Sequence, residues 1–248
     1  MGRFASTVAY YESARPPYPD AFFAKVAGAL GLDRSQRLLD AGTGPGILAL
    51  GFAPYCRRVV GVDPEPAMIE AAREAAARAG VALELIEGRF QDMAEGLGAF
   101  DVVTIGRALH WLDPEPARRG LERVVAPSGK ILVCRASSVK DGRNPWLETF
   151  DAVRRRWSGG RPGHDHSAFF AGTRFVPRAT IGVEPVPAVP IERLADRVLS
   201  MSTTSPDRLG DQVAAMRSAM REALAPFASD GLLEEIVEAQ GEVFEPRR

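Results

Sequence analysis

The sequence predicts an α/β protein built on a doubly wound, mostly parallel sheet, with an added helical lid from its C-terminal part. Three observations carry that expectation. Residues 37–47 (Arg-Leu-Leu-Asp-Ala-Gly-Thr-Gly-Pro-Gly-Ile) set three glycines at alternate positions between an apolar run and the start of a helical one. Arg58–Asp63 is a second apolar run, ending in an acid 23 positions after Asp40. From there to about residue 135, short apolar runs alternate with amphipathic segments, the strand–helix rhythm of a parallel sheet with right-handed crossovers.

Composition narrows the class before any motif is weighed. A chain of 248 residues is long enough to bury a full core in one domain, or in one domain plus a lid. The net charge of −1 supplies no basic field for nucleic acid or for an anionic membrane surface, so neither is expected as a partner. Cys56 and Cys134 are far apart and in no motif, which implies neither a disulfide nor a zinc framework. No apolar run reaches the length of a membrane span and the N-terminus has no signal-like core, so a cytoplasmic location is expected.

Taken in order, residues 1–20 contain Tyr10, Tyr11, Arg15 and Tyr18, and Pro16, Pro17 and Pro19 exclude a helix over 16–19. An aromatic arm beside an arginine can close on a ligand, or simply pack its rings on the core. Residues 21–32 read as a helix, with Phe22, Phe23, Val26 and Leu30 on one face. Strand 1 and the glycine turn follow, then a short helix through Leu48–Phe52, and then the valine-rich second strand. Residues 68–79 form an alanine-rich amphipathic helix, 82–86 a third strand, and 87–93 a loop at its tip. Residues 99–106 are the fourth strand, and Asp113-Pro114 signals a helix running to about residue 126, with Asp113 as its cap. Residues 127–130 make a turn and 131–134 the fifth strand.

Function enters through the glycines. A strand–glycine turn–helix unit places a nucleotide-like ligand at the carboxyl end of an open sheet. The dinucleotide fingerprint G-x-G-x-x-G would need glycine at 47 after Gly42 and Gly44, but Ile47 stands there. The Asp-x-Gly-x-Gly-x-Gly pattern instead resembles motif I of the class I S-adenosylmethionine-dependent methyltransferases. Asp63 at the tip of strand 2, followed by Pro64-Glu65-Pro66-Ala67-Met68, is similar to the run that opens that family's second helix. Phe100-Asp101-Val102-Val103 resembles its motif II, and residues 126–131 its turn into strand 5 with Ser128 in place of a glycine. The Arg-Pro-Pro-Tyr-Pro segment at 15–19 is similar to the N-terminal arm of many small-molecule members. Ala108-Leu109-His110-Trp111-Leu112-Asp113 resembles a subset that includes trans-aconitate-type enzymes.

The resemblance implies a Rossmann-like fold, S-adenosyl-L-methionine as cofactor, and methyl transfer to a small molecule. Asp40, Gly42, Thr43 and Gly44 would shape the turn and meet the methionine tail; Asp63 would hold the ribose, with Pro64 and Met68 beside it. The loop at 87–93 falls where the family contacts adenine. It carries Arg89 where an acid is usual, leaving Phe90 with a ring face and Gln91 with a side-chain amide. Arg15 and Arg107 are counted with the cofactor residues and would equally suit an acceptor carboxylate. Tyr18, Trp111 and His110 would line the acceptor pocket, with Trp146, Phe169 and Phe170 as further candidates. His110 could take or orient a substrate proton, or be purely structural, since displacement from a sulfonium needs positioning more than a base. The AdoMet-binding core is expected at 37–135 of one 248-residue domain, with the arm (1–20) and about 136–240 on the substrate side. A non-catalytic AdoMet-binding protein remains compatible, and an NAD-dependent oxidoreductase less so.

The second half is less patterned. Residues 144–157 read as a helix, and the loop to 165 is followed by His166. His164-Asp165-His166 has no third ligand at fixed spacing, so no metal is expected. Residues 182–190 read as an irregular sixth strand, and 190–201, 206–227 and 231–239 as three helices. A last strand near 241–244 is short or missing.

Overall fold

A computed structural model describes Tyr10 and residues 14–158, 166–201 and 203–247. Tyr11, His164, Asp165 and the side chain of His166 lie outside the described residues. In chain order the elements are α1 (Asp20–Leu30), β1 (Arg37–Ala41), α2 (Ile47–Phe52), β2 (Arg58–Asp63), α3 (Pro66–Ala79), β3 (Glu84–Glu87), α4 (Phe90–Met93), β4 (Phe100–Gly106), α5 (Pro114–Val124) and β5 (Val125–Ser138). Then come α6 (Leu147–Arg155), α7 (His166–Phe169), β6 (Phe175–Val183), β7 (Ala188–Pro190), α8 (Ile191–Leu199), α9 (Pro206–Leu209), α10 (Val213–Leu224), β8 (Leu232–Glu234) and β9 (Val237–Pro246). The chain divides into two compact units, one of residues 18–135, 163–183 and 240–248, the other of 1–17, 136–162 and 184–239.

A seven-stranded sheet in the order β3-β2-β1-β4-β5-β9-β6 has helices on its faces, and β1 runs parallel to β2 and to β4, as do β2 with β3 and β4 with β5. This is the doubly wound α/β architecture. Leu38, Leu39, Val60, Val62, Val103 and Ile105 are buried because helices cover both faces of these central strands. Phe90, Phe100, Leu121, Phe170 and Phe244 complete that core, with the Phe170 and Phe244 rings 4.2 Å apart. The register between β4 and β5 jumps from Phe100↔Val125 to Val102↔Lys130, so residues 127–130, expected as a turn, instead lie within β5 at an irregularity of its pairing.

Further expectations are corrected. The last strand is neither short nor missing: β9 spans ten residues inside the sheet. The sixth strand of the sheet is Phe175–Val183, at the sheet edge where Pro177 is tolerated, while Ala188–Pro190 pairs with β8 in a separate two-stranded sheet. Residues 231–239 are extended, not helical. Leu233, Glu235, Val237 and Ala239 are buried while the residues between them face outward, a period of two. The loop after β3 contains a helical turn, α4. Asp113 does precede α5 in extended conformation, yet its side chain makes no capping bond.

The second unit has its own core, in which Trp146, Phe150, Leu194, Val198, Met216, Met220 and Leu224 meet. Trp146 is 1% exposed and its indole N–H donates to the Glu234 carbonyl at 2.8 Å, so it is a core residue, not a pocket wall. Glu235, fully buried, accepts a two-pronged hydrogen bond from Arg197 at 2.6 and 2.9 Å and one from the Ser138 hydroxyl at 2.6 Å. Arg197 Nε donates to the Ala14 carbonyl at 2.8 Å. Breaking such a pair leaves an uncompensated buried charge at a cost of about 3–5 kcal/mol. Glu235→Gln should therefore lower stability by about that amount in urea unfolding followed by tryptophan fluorescence. The double change Arg197→Met/Glu235→Leu should recover most of the loss, because it removes both charges together.

Candidate functional site

The strand order reverses between β1 and β4, the switch point where open α/β sheets leave a crevice at their carboxyl ends. The glycine turn (residues 42–46) and the segment after β4 (residues 107–111) both lie at this point. Gly42, Gly44 and Gly46 have φ of +76°, +54° and +83°, a left-handed run that side chains with a Cβ resist. The turn is clamped from below: Gly42 and Thr43 N–H both donate to the Val62 carbonyl, at 2.9 and 3.0 Å. A Cβ on Gly42 would lie 2.5 Å from the Ala108 Cβ, so turn and β4 loop touch without room for another carbon. At Gly44 a Cβ would meet nothing within 4 Å, so this peptide borders open space.

Asp40 anchors the turn. It is 1% exposed and accepts hydrogen bonds from the Thr43 hydroxyl at 2.8 Å and the Thr104 hydroxyl at 2.7 Å. Thr104 is its direct partner across the β1–β4 ladder. Burial pushes the Asp40 carboxyl up to about 6; the two hydroxyls oppose that shift and the nearby Asp63 adds to it. Asp63, at the tip of β2, accepts from Gly44 N–H at 2.9 Å and from Glu65 N–H at 3.0 Å. Its pKa is also raised, by burial first, against those two backbone bonds. One backbone donor on each carboxylate oxygen leaves a lone pair free on each.

The structure thus brings Asp40, Gly42, Thr43, Gly44 and Asp63 together. Pro64 follows Asp63 directly, and Met68 is buried in the first turn of α3. Phe90 lies in the core against Gly120 and Ala94 at 2% exposure, so its ring offers no free face. Gln91, with its amide oxygen turned toward Arg89, accepts from that guanidinium at 2.6 and 3.1 Å, and Arg89 also approaches Asp92 at 3.7 Å. Phe170 is a core residue and Phe169 is half-buried beside Arg118. Tyr18 is 8% exposed, packs on Phe22 and Phe23, and carries the Arg107 guanidinium 5.1 Å above its ring centre. His110 is exposed and Trp111 half-buried in a single 3-10 turn, their rings 4.9 Å apart. Arg15 belongs to the other unit, where it donates to the Ser200 carbonyl at 3.0 Å.

Three contributors escape a reading of the glycine motif alone: Thr104, Ala108 and Glu65. Thr104 is signalled only by being the one hydroxyl in an apolar strand, and Ala108 only by being small. Glu65 heads α3 at 8% exposure without capping it through its side chain. Among the described residues no cluster of three potential metal ligands occurs.

The raised Asp40 pKa makes stability pH-dependent with a definite sign. The folded state binds the proton more tightly than the unfolded chain (about 6 against 3.8), so ionising Asp40 costs stability as pH rises through that window. The full cost is up to roughly 3 kcal/mol above pH 6 and vanishes below the unfolded value. Asp40→Asn should gain on the wild type by that order between pH 4 and pH 7 in thermal unfolding. A constant difference across that range would show that Asp40 does not titrate as its burial requires.

Comparison with known proteins gives the segment a family. Residues 39–133 match the family model described as "Methyltransferase domain". An uncharacterised methyltransferase of Schizosaccharomyces pombe is 39% identical over 110 residues, covering 42% of this chain and 41% of the relative. An uncharacterised methyltransferase of Mycobacterium bovis is 31% identical over 150 residues, covering 60% and 58%. The chain spans about half the length of these curated relatives. Among solved structures, YcgJ of Bacillus subtilis superposes with a TM-score of 0.55 at 19% identity, over 93% of this chain and 100% of that one. A SAM-dependent methyltransferase from Thiobacillus denitrificans, solved with S-adenosyl-L-homocysteine, gives 0.58 at 17% identity over 100% and 99%. Residues 39–133 thus match a methyltransferase-domain model, and the chain has the Rossmann-like fold of these solved methyltransferases.

Proposed function

We propose that this protein transfers a methyl group from S-adenosylmethionine to a small-molecule acceptor. The observation that carries the proposal is the pairing of Asp40 and Asp63 on the two sides of the left-handed glycine turn at the switch point. Residues at that turn fit the cofactor chemically. The Asp63 lone pairs left over from Gly44 and Glu65 suit two ribose hydroxyls. Asp40 is a buried carboxylate beside a turn that borders open space, and it favours a cationic neighbour such as the methionine amino group. Two neighbours of this fold were solved with S-adenosyl-L-homocysteine, from Thiobacillus denitrificans and Geobacter sulfurreducens.

When bound, S-adenosylmethionine supplies an electrophilic methyl group on a sulfonium, which an acceptor lone pair displaces in line. The chain's own part is positioning. Asp63 and the turn fix the nucleoside end, and the Thr43 and Thr104 hydroxyls hold Asp40 in place and charged at neutral pH. Trp111 and Tyr18 give apolar walls for the acceptor. His110, exposed in the turn after β4, would take the proton from an acceptor that must lose one. Oxygen, nitrogen and carbon acceptors are all compatible with this arrangement.

Titration calorimetry with S-adenosylhomocysteine tests the proposal. The wild type should bind it in the micromolar range and NAD(H) not at all. Asp63→Ala should lose about 100-fold or more, since it removes hydrogen bonds to a charged group worth about 1.5–3 kcal/mol each. Binding of NAD(H) in place of the adenosyl compound would overturn the assignment.

A further inference from the structure

A cleft of about 550 Å³ lies between α5 and the turn at residues 171–173, within the unit that carries the large parallel strands. Its helix wall is Glu115, Arg118, Arg119, Glu122 and Arg123, whose spacing of three and four puts them on one face. The turn is clamped to that face at both ends. Arg118 Nε donates to the Phe169 carbonyl at 2.5 Å and its Nη2 to the Ala168 carbonyl at 3.2 Å. Glu122 accepts from the Arg174 N–H at 2.7 Å and pairs with the Arg174 guanidinium at 3.0 Å. Between the clamps Gly172, at φ of +82°, borders open space, since a Cβ there would meet nothing within 4 Å. Its N–H has no hydrogen-bond partner among the described residues. Arg174 also donates to the carbonyl of Val125, which pairs with the first residue of β4. This end of the cleft therefore lies at the amino ends of the strands, whereas Asp40 and Asp63 stand at the carboxyl ends.

We propose that this cleft is a second ligand site, which binds a small-molecule phosphate monoester through Arg119, Arg123 and the Gly172 N–H. Arg119 and Arg123 stand one helical turn apart with like charge, an arrangement that weakens a helix unless it is answered. The carboxylates that answer them, Glu115 and Glu95, are 69% and 82% exposed, so these pairs hold little energy and exchange readily for a ligand. Glu122 is already paired with Arg174, which leaves the cleft an excess of positive charge. A phosphate monoester brings a charge near −2 and three strong acceptor oxygens. Two guanidinium forks and one backbone N–H match that set, whereas a carboxylate, with one charge and two oxygens, answers one fork alone. The volume is that of a small-molecule site. The site is separate from the proposed methyl transfer and stands without it.

The test uses the full chain with phenyl phosphate and benzoate as probes at constant ionic strength, followed by titration calorimetry and the amide NMR signal of Gly172. Phenyl phosphate should bind about 10-fold or more tightly than benzoate and should shift that signal. The double change Arg119→Gln/Arg123→Gln should weaken phenyl phosphate about 10-fold or more. Both side chains are exposed, so its thermal midpoint without ligand should stay within about 2 °C of the wild type. Arg73→Gln, which breaks an exposed pair with Glu70 on α3, should leave binding unchanged. Saturating S-adenosylhomocysteine should not displace phenyl phosphate. Equal affinity for the two probes, undiminished binding by the double variant, or displacement by S-adenosylhomocysteine overturns the proposal.

Discussion

A carboxylate sealed at the switch point of the sheet governs the local architecture. Asp40 is buried almost completely, and the groups that answer it are two hydroxyls, one from the turn it begins and one from the neighbouring strand. Through Thr104 it ties β1 to β4 beyond the backbone ladder, and through Thr43 it sets the first bend of the glycine turn. That bend brings Gly44 N–H onto Asp63, so the tips of β1 and β2 are joined by the same short chain of hydrogen bonds. Loss of the bend would free the turn, and the crevice above it would lose its floor.

The floor of the turn and the wall of the crevice are one packing problem. Gly42 and Ala108 approach so closely that either could grow only by displacing the other. Gly61 is constrained likewise, since a Cβ there would meet the Thr43 hydroxyl at 2.9 Å and Leu85 at 3.0 Å. Small residues therefore stand just after β1, just after β4 and within β2, each leaving room for its neighbours. Interiors packed at crystal-like density transmit such shifts readily. A change at Ala108 would reach the cofactor turn and the His110–Trp111 segment together.

The sheet from β1 to β5 is legible in the sequence because its strands are buried on both faces and its turn needs glycine, two constraints that act locally. The stretch at 231–239 is misleading for a specific reason. Leu-Leu-Glu-Glu-Ile-Val-Glu-Ala is rich in helix formers, and its period of two is hidden because one inward position holds Glu235. Only Arg197, 38 residues earlier, makes that glutamate tolerable inside, and no local pattern announces such a partner. Phe90 misleads in the opposite sense: a phenylalanine in a ligand-facing loop is read as exposed, but α4 turns it into the core against Gly120. At the site, Asp40, Gly42, Gly44 and Asp63 follow from the motif. Thr104 and Ala108 depend on the register between β1 and β4, which sequence spacing alone does not set.

Two of the buried carboxylates, Glu235 and Asp40, show different physical logic. Glu235 is paired with a guanidinium in full two-pronged geometry and has a serine on the same oxygen, so its charge is answered inside the fold. Asp40 has no cation within ion-pair distance among the described residues, and hydroxyl bonds recover only part of what burial takes away. An isoelectronic neutral residue would serve the fold better at neutral pH, so the fold does not account for the charge. Under the proposed function, that charge is answered by the cationic amino group of the bound cofactor. A carboxylate already desolvated and oriented attracts that group more strongly than one that must first shed water. Under that reading, the stability given up at Asp40 is offset when the cofactor binds beside the Gly44 peptide, which borders open space.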